Sequence, residues 1–143
     1  MRIGRRGNAA IEFAIAGPLL LGMVTGIVDV GFGLYEAMQV QNAAEAGALY
    51  AARHGWDQEG IVAAVTGSTN TAGITATPAP TKFCGCPSAS GVTSAGCSGT
   101  CAGGGAPGVY VQVNAALPHL QIVPYANFGV PATLTGQSMM RVQ

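Results

Sequence analysis

The chain has 143 residues, of which 22 are glycine and only 8% are charged, and its basic and acidic side chains cancel to a net charge of zero. From Gly60 onward the only charges are Lys82 and Arg141, which excludes a nucleic-acid-binding surface, because phosphate recognition needs clustered Lys and Arg. A surface so poor in charge is weakly protected against association, so we expect it to lie against partner molecules.

A basic segment and an uncharged apolar run come first in the chain. Arginines at positions 2, 5 and 6 precede the run from Ala14 to Val28. About 20 residues suffice to cross a bilayer, so we predict a transmembrane segment over about residues 13–34. Positive residues stay on the cytoplasmic side, which predicts a cytoplasmic N-terminus and an extracytoplasmic remainder. A secretion signal begins similarly, but the small-residue cleavage sites lie too far beyond Val28 to fit one.

Residues 8–53 are predicted to form one long helix, membrane-spanning in its first half, because no turn cluster interrupts them. At 100° per residue, one narrow face of this helix carries Pro18, Gly22, Gly26, Asp29, Gly33 and Glu36. Gly22 and Gly26 have the spacing that lets two membrane helices approach closely, and an acid on that face is costly unless a partner or water meets it. We predict a helix-docking face. The alternative is that Asp29 marks the outer interface and the glycines have no special role.

A stripe of helical period runs onward from the end of the membrane segment. It consists of Leu34, Met38, Gln41, Glu45, Ala48 and Ala52. Two interpretations remain open, namely packing against the C-terminal domain or packing against neighbouring subunits.

Residues 54–143 are predicted to form a small α+β domain, since His54-Gly55 ends the long helix. Asp57 is expected to cap a short helix over residues 58–65, with Ile61, Val62 and Val65 inward. Four candidate strands follow, at 74–77, 81–86, 109–114 and 133–142, and residues 88–107 are predicted to be a loop. We expect an antiparallel sheet of three or four strands covered on one face by the helices.

The four cysteines of this domain are Cys84, Cys86, Cys97 and Cys101. An even number in a glycine-rich extracytoplasmic domain favours two disulfides. A zinc site would need four thiolates in a tetrahedral array, and this spacing is not a usual zinc-binding pair. A bridge within Cys84 and Cys86 is the least expected, because strand residues two apart stand too far apart. We predict nested pairs, Cys84 with Cys101 and Cys86 with Cys97.

The segment from Arg5 to Phe13 resembles a prepilin-peptidase site. Gly7 ends a basic leader of residues 1–7, Asn8 would begin the mature chain, and Glu12, followed by Phe13, would be its fifth residue. The onward sequence strengthens the resemblance through Pro18-Leu19-Leu20-Leu21, Gly26-Ile27-Val28-Asp29-Val30-Gly31, Gln41-Asn42-Ala43-Ala44, the spaced cysteines and Met140-Arg141-Val142. Together these residues resemble the TadE-like pseudopilins of tight-adherence (Tad) pili.

The resemblance implies a minor pseudopilin with a pilin-like fold, held in the bacterial inner membrane and structural in function. Its partners would be the prepilin peptidase, other pilus subunits, the inner-membrane assembly platform and membrane lipid. Glu12 and Phe13, together with the face of Gly22, Gly26 and Asp29, would serve assembly. No cofactor or metal is implied.

Catalysis finds little support in the sequence. Neither His54 nor His119 has an acid partner nearby in the sequence. Asp57 and Glu59 lie near a helix start, where capping is the commoner role. Two other functions stay open. The chain could be an uncleaved single-pass membrane scaffold or adhesin, or a periplasmic metal-binding module that uses the four cysteines.

Overall fold

The computed structural model describes residues 6–120 and 131–142, with residues 6–9 as backbone only. It confirms the predicted α+β class, with one long apolar helix, one short helix and a four-stranded antiparallel sheet. The helices are α1 (Arg6–His54) and α2 (Gln58–Gly67), and the strands are β1 (Thr81–Ser88), β2 (Gly91–Ser94), β3 (Gly108–Pro118) and β4 (Thr133–Arg141). The predicted leader residues 1–5 lie outside the described residues.

Helix α1 runs without interruption through Pro18 for 49 residues, a length of about 73 Å at 1.5 Å per residue. It is long and apolar enough to cross a membrane, and the most apolar window is not buried against the described part of the chain. The helix ends at Gly55, which has a positive φ of 81° and donates its N–H to the Ala51 carbonyl oxygen at 2.9 Å. Glycine adopts this left-handed conformation without the steric cost that a Cβ would add.

The sheet has the strand order β2-β1-β3-β4, with every neighbouring pair antiparallel. Strand β3 alternates as a strand with one face on a core should. Val111, Val113, Ala115 and Leu117 are buried on the face toward the helices. The intervening residues Gln112, Asn114 and Ala116 are half-buried. The predicted strands at 81–86, 109–114 and 133–142 are therefore confirmed, with β3 longer than predicted.

The core lies between the inner face of the sheet and the C-terminal half of α1. The buried residues of α1 are Val40, Ala43, Ala44, Ala48 and Ala51, and α2 adds Ile61 and Val65. Of the stripe predicted from periodicity, Leu34, Met38, Glu45 and Ala52 are instead exposed. Most of that stripe therefore faces away from its own domain, and packing against neighbouring subunits stays a prediction.

Two predicted elements differ in the structure. The candidate strand at 74–77 is reduced to a single bridge between Thr75 and Ala116, because Pro78, preceded by a cis peptide bond, and Pro80 follow at once and proline donates no ladder hydrogen bond. The predicted loop 88–107 contains the short strand β2, which forms a hairpin with β1. Asp57 does occupy the N-cap position of α2, but its side chain makes no capping hydrogen bond.

All four cysteines form disulfides, but the predicted nested connectivity is wrong. The pairs are Cys84–Cys97 and Cys86–Cys101, with Cα–Cα distances of 5.1 and 5.5 Å. The β1–β2 hairpin explains the difference, because it returns the chain to Cys84 first, where the Ala95 N–H donates to the Cys84 carbonyl oxygen at 2.9 Å. Cys97 therefore lies beside Cys84, and Cys101 follows farther on.

Candidate helix-docking surface

The membrane-side half of α1 presents large apolar side chains in every direction. Phe13 is 78% exposed and Ile27 70% exposed. Such exposure continues to Met38, which is 59% exposed, and Ile11 to Met38 spans about 40 Å of helix. The hydrocarbon core of a bilayer is about 30 Å thick. The exposed apolar surface is therefore longer than lipid tails alone would cover.

One continuous seam on α1 joins its membrane half to its domain half. We define the α1 seam by the residues spaced four and three apart along one face, namely Gly22, Gly26, Asp29, Gly33, Glu36, Val40, Ala43, Gly47 and Ala51. From Val40 onward these residues are buried in the chain's own core. A Cβ added at Gly22 or Gly26 would instead meet nothing within 4 Å among the described residues. The predicted docking face is thus the membrane-side continuation of the core-packing face.

The distal part of the seam shows how closely a neighbour can pack on small residues. A Cβ added at Gly47 would lie 2.6 Å from Val65 Cγ2 and 2.9 Å from Val113 Cγ1, so this glycine lets α2 and β3 meet α1 at one point. On the facing strand, a Cβ at Gly136 would lie 2.8 Å from the Val40 carbonyl oxygen. Strand β4 therefore rests directly on the α1 backbone.

The residues of the predicted cleavage motif lie at the start of α1. Gly7 and Asn8 fall in its first turn, which is described as backbone only, and Glu12 follows Asn8 by about one turn with an exposed side chain. Residues four apart share a helix face. A carboxylate at position 12 and an amine created at position 8 would therefore lie on the same side of the helix.

A hydrogen bond between two side chains, His119 and Glu36, holds α1 beside the end of β3, next to the part of the seam that is buried from Val40 onward. His119 Nδ1 lies 2.6 Å from Glu36 Oε2, and the two side chains are 1% and 26% exposed. A carboxylate can only accept, so Nδ1 carries the hydrogen, and Nε2 has no hydrogen-bond partner in the described parts of the chain. Local sequence patterns could not predict this contact, because the partners are 83 residues apart.

Gln41 binds the backbone of the edge strand β4. Its amide nitrogen donates to the Gln137 carbonyl oxygen at 3.2 Å, and its amide oxygen accepts from the Gln137 N–H at 3.3 Å. The same nitrogen also donates to Glu45 Oε1 at 3.1 Å. The side chain thereby replaces the missing neighbour strand at one point of the sheet edge. The Gln-Asn-Ala-Ala motif is visible in the sequence, but the motif alone does not predict this role.

At the far end of α1, Tyr50 connects the two helices. Its hydroxyl donates to Asp57 Oδ2 at 3.2 Å, and its ring stacks on His54 with centroids 4.4 Å apart. The hydrogen bond to Asp57 raises the pKa of Tyr50, and burial and the negative charge of Asp57 act in the same direction. Asp57 thus accepts from a tyrosine rather than from the first turn of α2.

The features now described run together along α1: a glycine at the start, an acid one turn on, an apolar membrane half and a Gln-Asn-Ala-Ala segment over the sheet. Residues 7–49 match the TadE-like protein family. This match confirms the resemblance predicted from the sequence and implies a membrane-anchored protein associated with Tad pili. Neither a curated protein nor a solved structure matches the chain.

The TadE-like match covers α1 almost to its end and none of the sheet. It includes the predicted cleavage motif from Gly7 to Phe13, Gly22 and Gly26 of the seam, and Gln41. The disulfide-linked sheet lies beyond the matched range. Because its four sulfurs are paired with one another, they are not thiolate ligands for zinc, which argues against a cysteine metal site in this state.

Proposed function

We propose that this chain is a minor pseudopilin, a non-catalytic assembly subunit of a Tad-type pilus, processed by the prepilin peptidase and held in the inner membrane by α1 with its sheet outside. The observation that carries the proposal is the uncovered apolar length of α1 within a TadE-like match. A helix whose exposed apolar surface exceeds the bilayer thickness is suited to exchange lipid for the helices of neighbouring subunits.

The surface of α1 supports two kinds of contact. The seam carries no side chain at Gly22 and Gly26, and a Cβ added at either would meet nothing within 4 Å among the described residues, so another membrane helix can approach the backbone closely there. On a different face, Leu34 at the end of the predicted membrane segment and Met38 beyond it are exposed. A neighbouring subunit would cover these two side chains once the protein enters an assembly.

Glu12 and the new amino terminus would set the position of the subunit. Cleavage after Gly7 creates a positive amine on Asn8, while an acid near the membrane interior is costly, by about 2.5–3.5 kcal/mol for Asp at a helix centre and less near the end. The amine of this or an adjacent subunit offsets that cost. Such a charge pair would fix the register of one α1 against another.

Two substitutions in the native host separate processing from assembly. Gly7→Leu should block the peptidase, so that the protein accumulates with residues 1–7 attached. Glu12→Ala should still be cleaved but should fail to support piliation. Normal piliation by Glu12→Ala would contradict the proposed role of Glu12 in assembly. Normal cleavage of Gly7→Leu would contradict the proposed cleavage site.

A matched pair of leucine variants tests the seam. Gly26→Leu places a large side chain on the seam, whereas Val24→Leu adds one methylene to a position that is already 56% exposed. We expect Gly26→Leu to weaken copurification with other pilus subunits or the assembly platform and Val24→Leu to leave it unchanged. Equal copurification of the two variants would mean that the glycines have no docking role. That result would also be compatible with an uncleaved membrane scaffold.

A further inference from the structure

A cavity lies at the end of the sheet that α1 does not reach. Cys84 pairs with Val109 in the β1–β3 register, and the Val142 N–H donates to the Val109 carbonyl oxygen at 2.9 Å, so these residues form one row across the inner face. The helix has already ended at Gly55. The cavity has a volume of about 330 Å³ and is lined by Gly55, Trp56, Lys82, Phe83, Cys84, Cys97, Val109 and Val142.

The floor of this cavity is the only row of the β3 inner face that the helices leave half-covered in the described part of the chain. Val111 and Val113, the next two inward residues of β3, are fully buried, whereas Val109 is half-buried. Trp56 also lines the cavity, with 37% of its surface exposed, and the Cys84–Cys97 disulfide forms part of the wall. The cavity therefore offers an apolar floor and an aromatic wall.

A single positive charge lies at this cavity. Lys82 is the only lysine of the chain, and its Nζ lies 5.7 Å from the centroid of the Trp56 ring. Within residues 6–120 and 131–142, no acidic side chain lines the cavity or forms an ion pair with Lys82. A group that binds here meets apolar surface together with one unneutralised cation.

We infer that this cavity binds a small apolar carboxylate, with its apolar body between Trp56 and Val109 and its carboxylate at Lys82. The volume lies at the lower end of the range for ligand pockets, about 300–1,000 Å³, which suits a single ring rather than a long chain. The positive charge selects an anion over a neutral molecule of the same shape. This inference does not depend on a role in pili.

The full chain in detergent provides a direct assay, because Trp56 is the only tryptophan and its fluorescence reports on the cavity. Phenylacetate is the probe, and phenylacetamide is its uncharged isostere. We expect a saturable change in fluorescence with phenylacetate and binding of phenylacetamide weaker by about fivefold, the upper range for an exposed ion pair. Lys82→Gln should weaken phenylacetate binding by the same factor and leave phenylacetamide binding unchanged.

Two further variants locate the site. Arg141→Gln removes the other cation of the domain, on the opposite face of the sheet, and should bind phenylacetate as the wild type does. Val109→Phe should fill the cavity and abolish the saturable change while circular dichroism shows the fold intact. The inference is overturned by the absence of a saturable change in the wild type, by equal affinity for the two probes, by an equal loss in Arg141→Gln, or by unchanged binding in a folded Val109→Phe.

Discussion

The contact of Gly136 with α1 makes a sharp prediction about the stability of the domain. In Gly136→Ala, the new Cβ would lie 2.8 Å from the Val40 carbonyl oxygen and 2.9 Å from the Gln41 Cα and N. Ordinary Cβ contacts begin near 3.4 Å, and these neighbours are backbone atoms that no rotamer change can move. The strand and the helix must therefore separate.

The cost of this separation can be estimated. A gap of roughly 0.5 Å forfeits about a quarter of the dispersion energy of each neighbouring contact, and overpacking of a core typically costs about 1–3 kcal/mol. For a domain of this size such a loss lowers Tm by about 4–24 °C. Thermal unfolding of the full chain in detergent, followed by Trp56 fluorescence, measures the change.

The matched control is Gly26→Ala, because a Cβ at Gly26 meets nothing within 4 Å among the described residues. We expect this variant to unfold at the wild-type temperature. The reasoning is refuted if Gly136→Ala leaves Tm unchanged or if both alanine variants lower it equally.

Three further predictions use the same unfolding assay. Glu36→Leu leaves the buried Nδ1–H of His119 without its acceptor, which should lower the free energy of unfolding by about 1–3 kcal/mol. Glu36→Gln keeps an acceptor and should lower it less. Equal losses in the two variants would contradict the importance of this hydrogen bond. Gln41→Leu removes the hydrogen bonds to a backbone N–H and C=O of β4 and should lower the free energy of unfolding by about 1–2 kcal/mol. Asn42→Leu, at the exposed neighbouring position, should not lower it. An unchanged stability of Gln41→Leu would contradict the importance of this edge contact. The hydrogen bond to Asp57 raises the pKa of Tyr50 above its ordinary value of 10.0, so the stabilising contact is present below pH 10 and is lost as the pH rises through the raised pKa. Tyr50→Phe should abolish this loss of stability at alkaline pH. Identical alkaline profiles of the two proteins would contradict the prediction.

Local patterns in the sequence predicted most of the fold. The charge-free run and the absence of turn residues predicted α1, and alternation predicted β1, β3 and β4. The stripe of Leu34 and Met38 was ambiguous, because periodicity shows that a helix has faces but not which face the chain's own sheet will cover. The core is formed instead by small residues such as Ala44 and Ala48, whose burial depends on how closely β4 approaches.

Contacts between distant residues could not be predicted. His119 has no acid partner nearby in the sequence, because Glu36 is 83 positions away. The role of Gln41 depends on the position of the β4 edge. The disulfide pairing depends on the β1–β2 hairpin, which could not be predicted because its Gly- and Ser-rich sequence is typical of a loop. One signal for Gly136 was available, since a glycine inside an alternating strand often marks the close approach of another backbone.

The most direct test of the proposed function is the intact mass of the protein isolated from the membranes of its own host, with the prepilin peptidase present. The proposal predicts a mature chain that begins at Asn8 and carries two disulfides. A protein that retains Met1 to Gly7 under those conditions would contradict processing as a pseudopilin and would favour an uncleaved membrane scaffold.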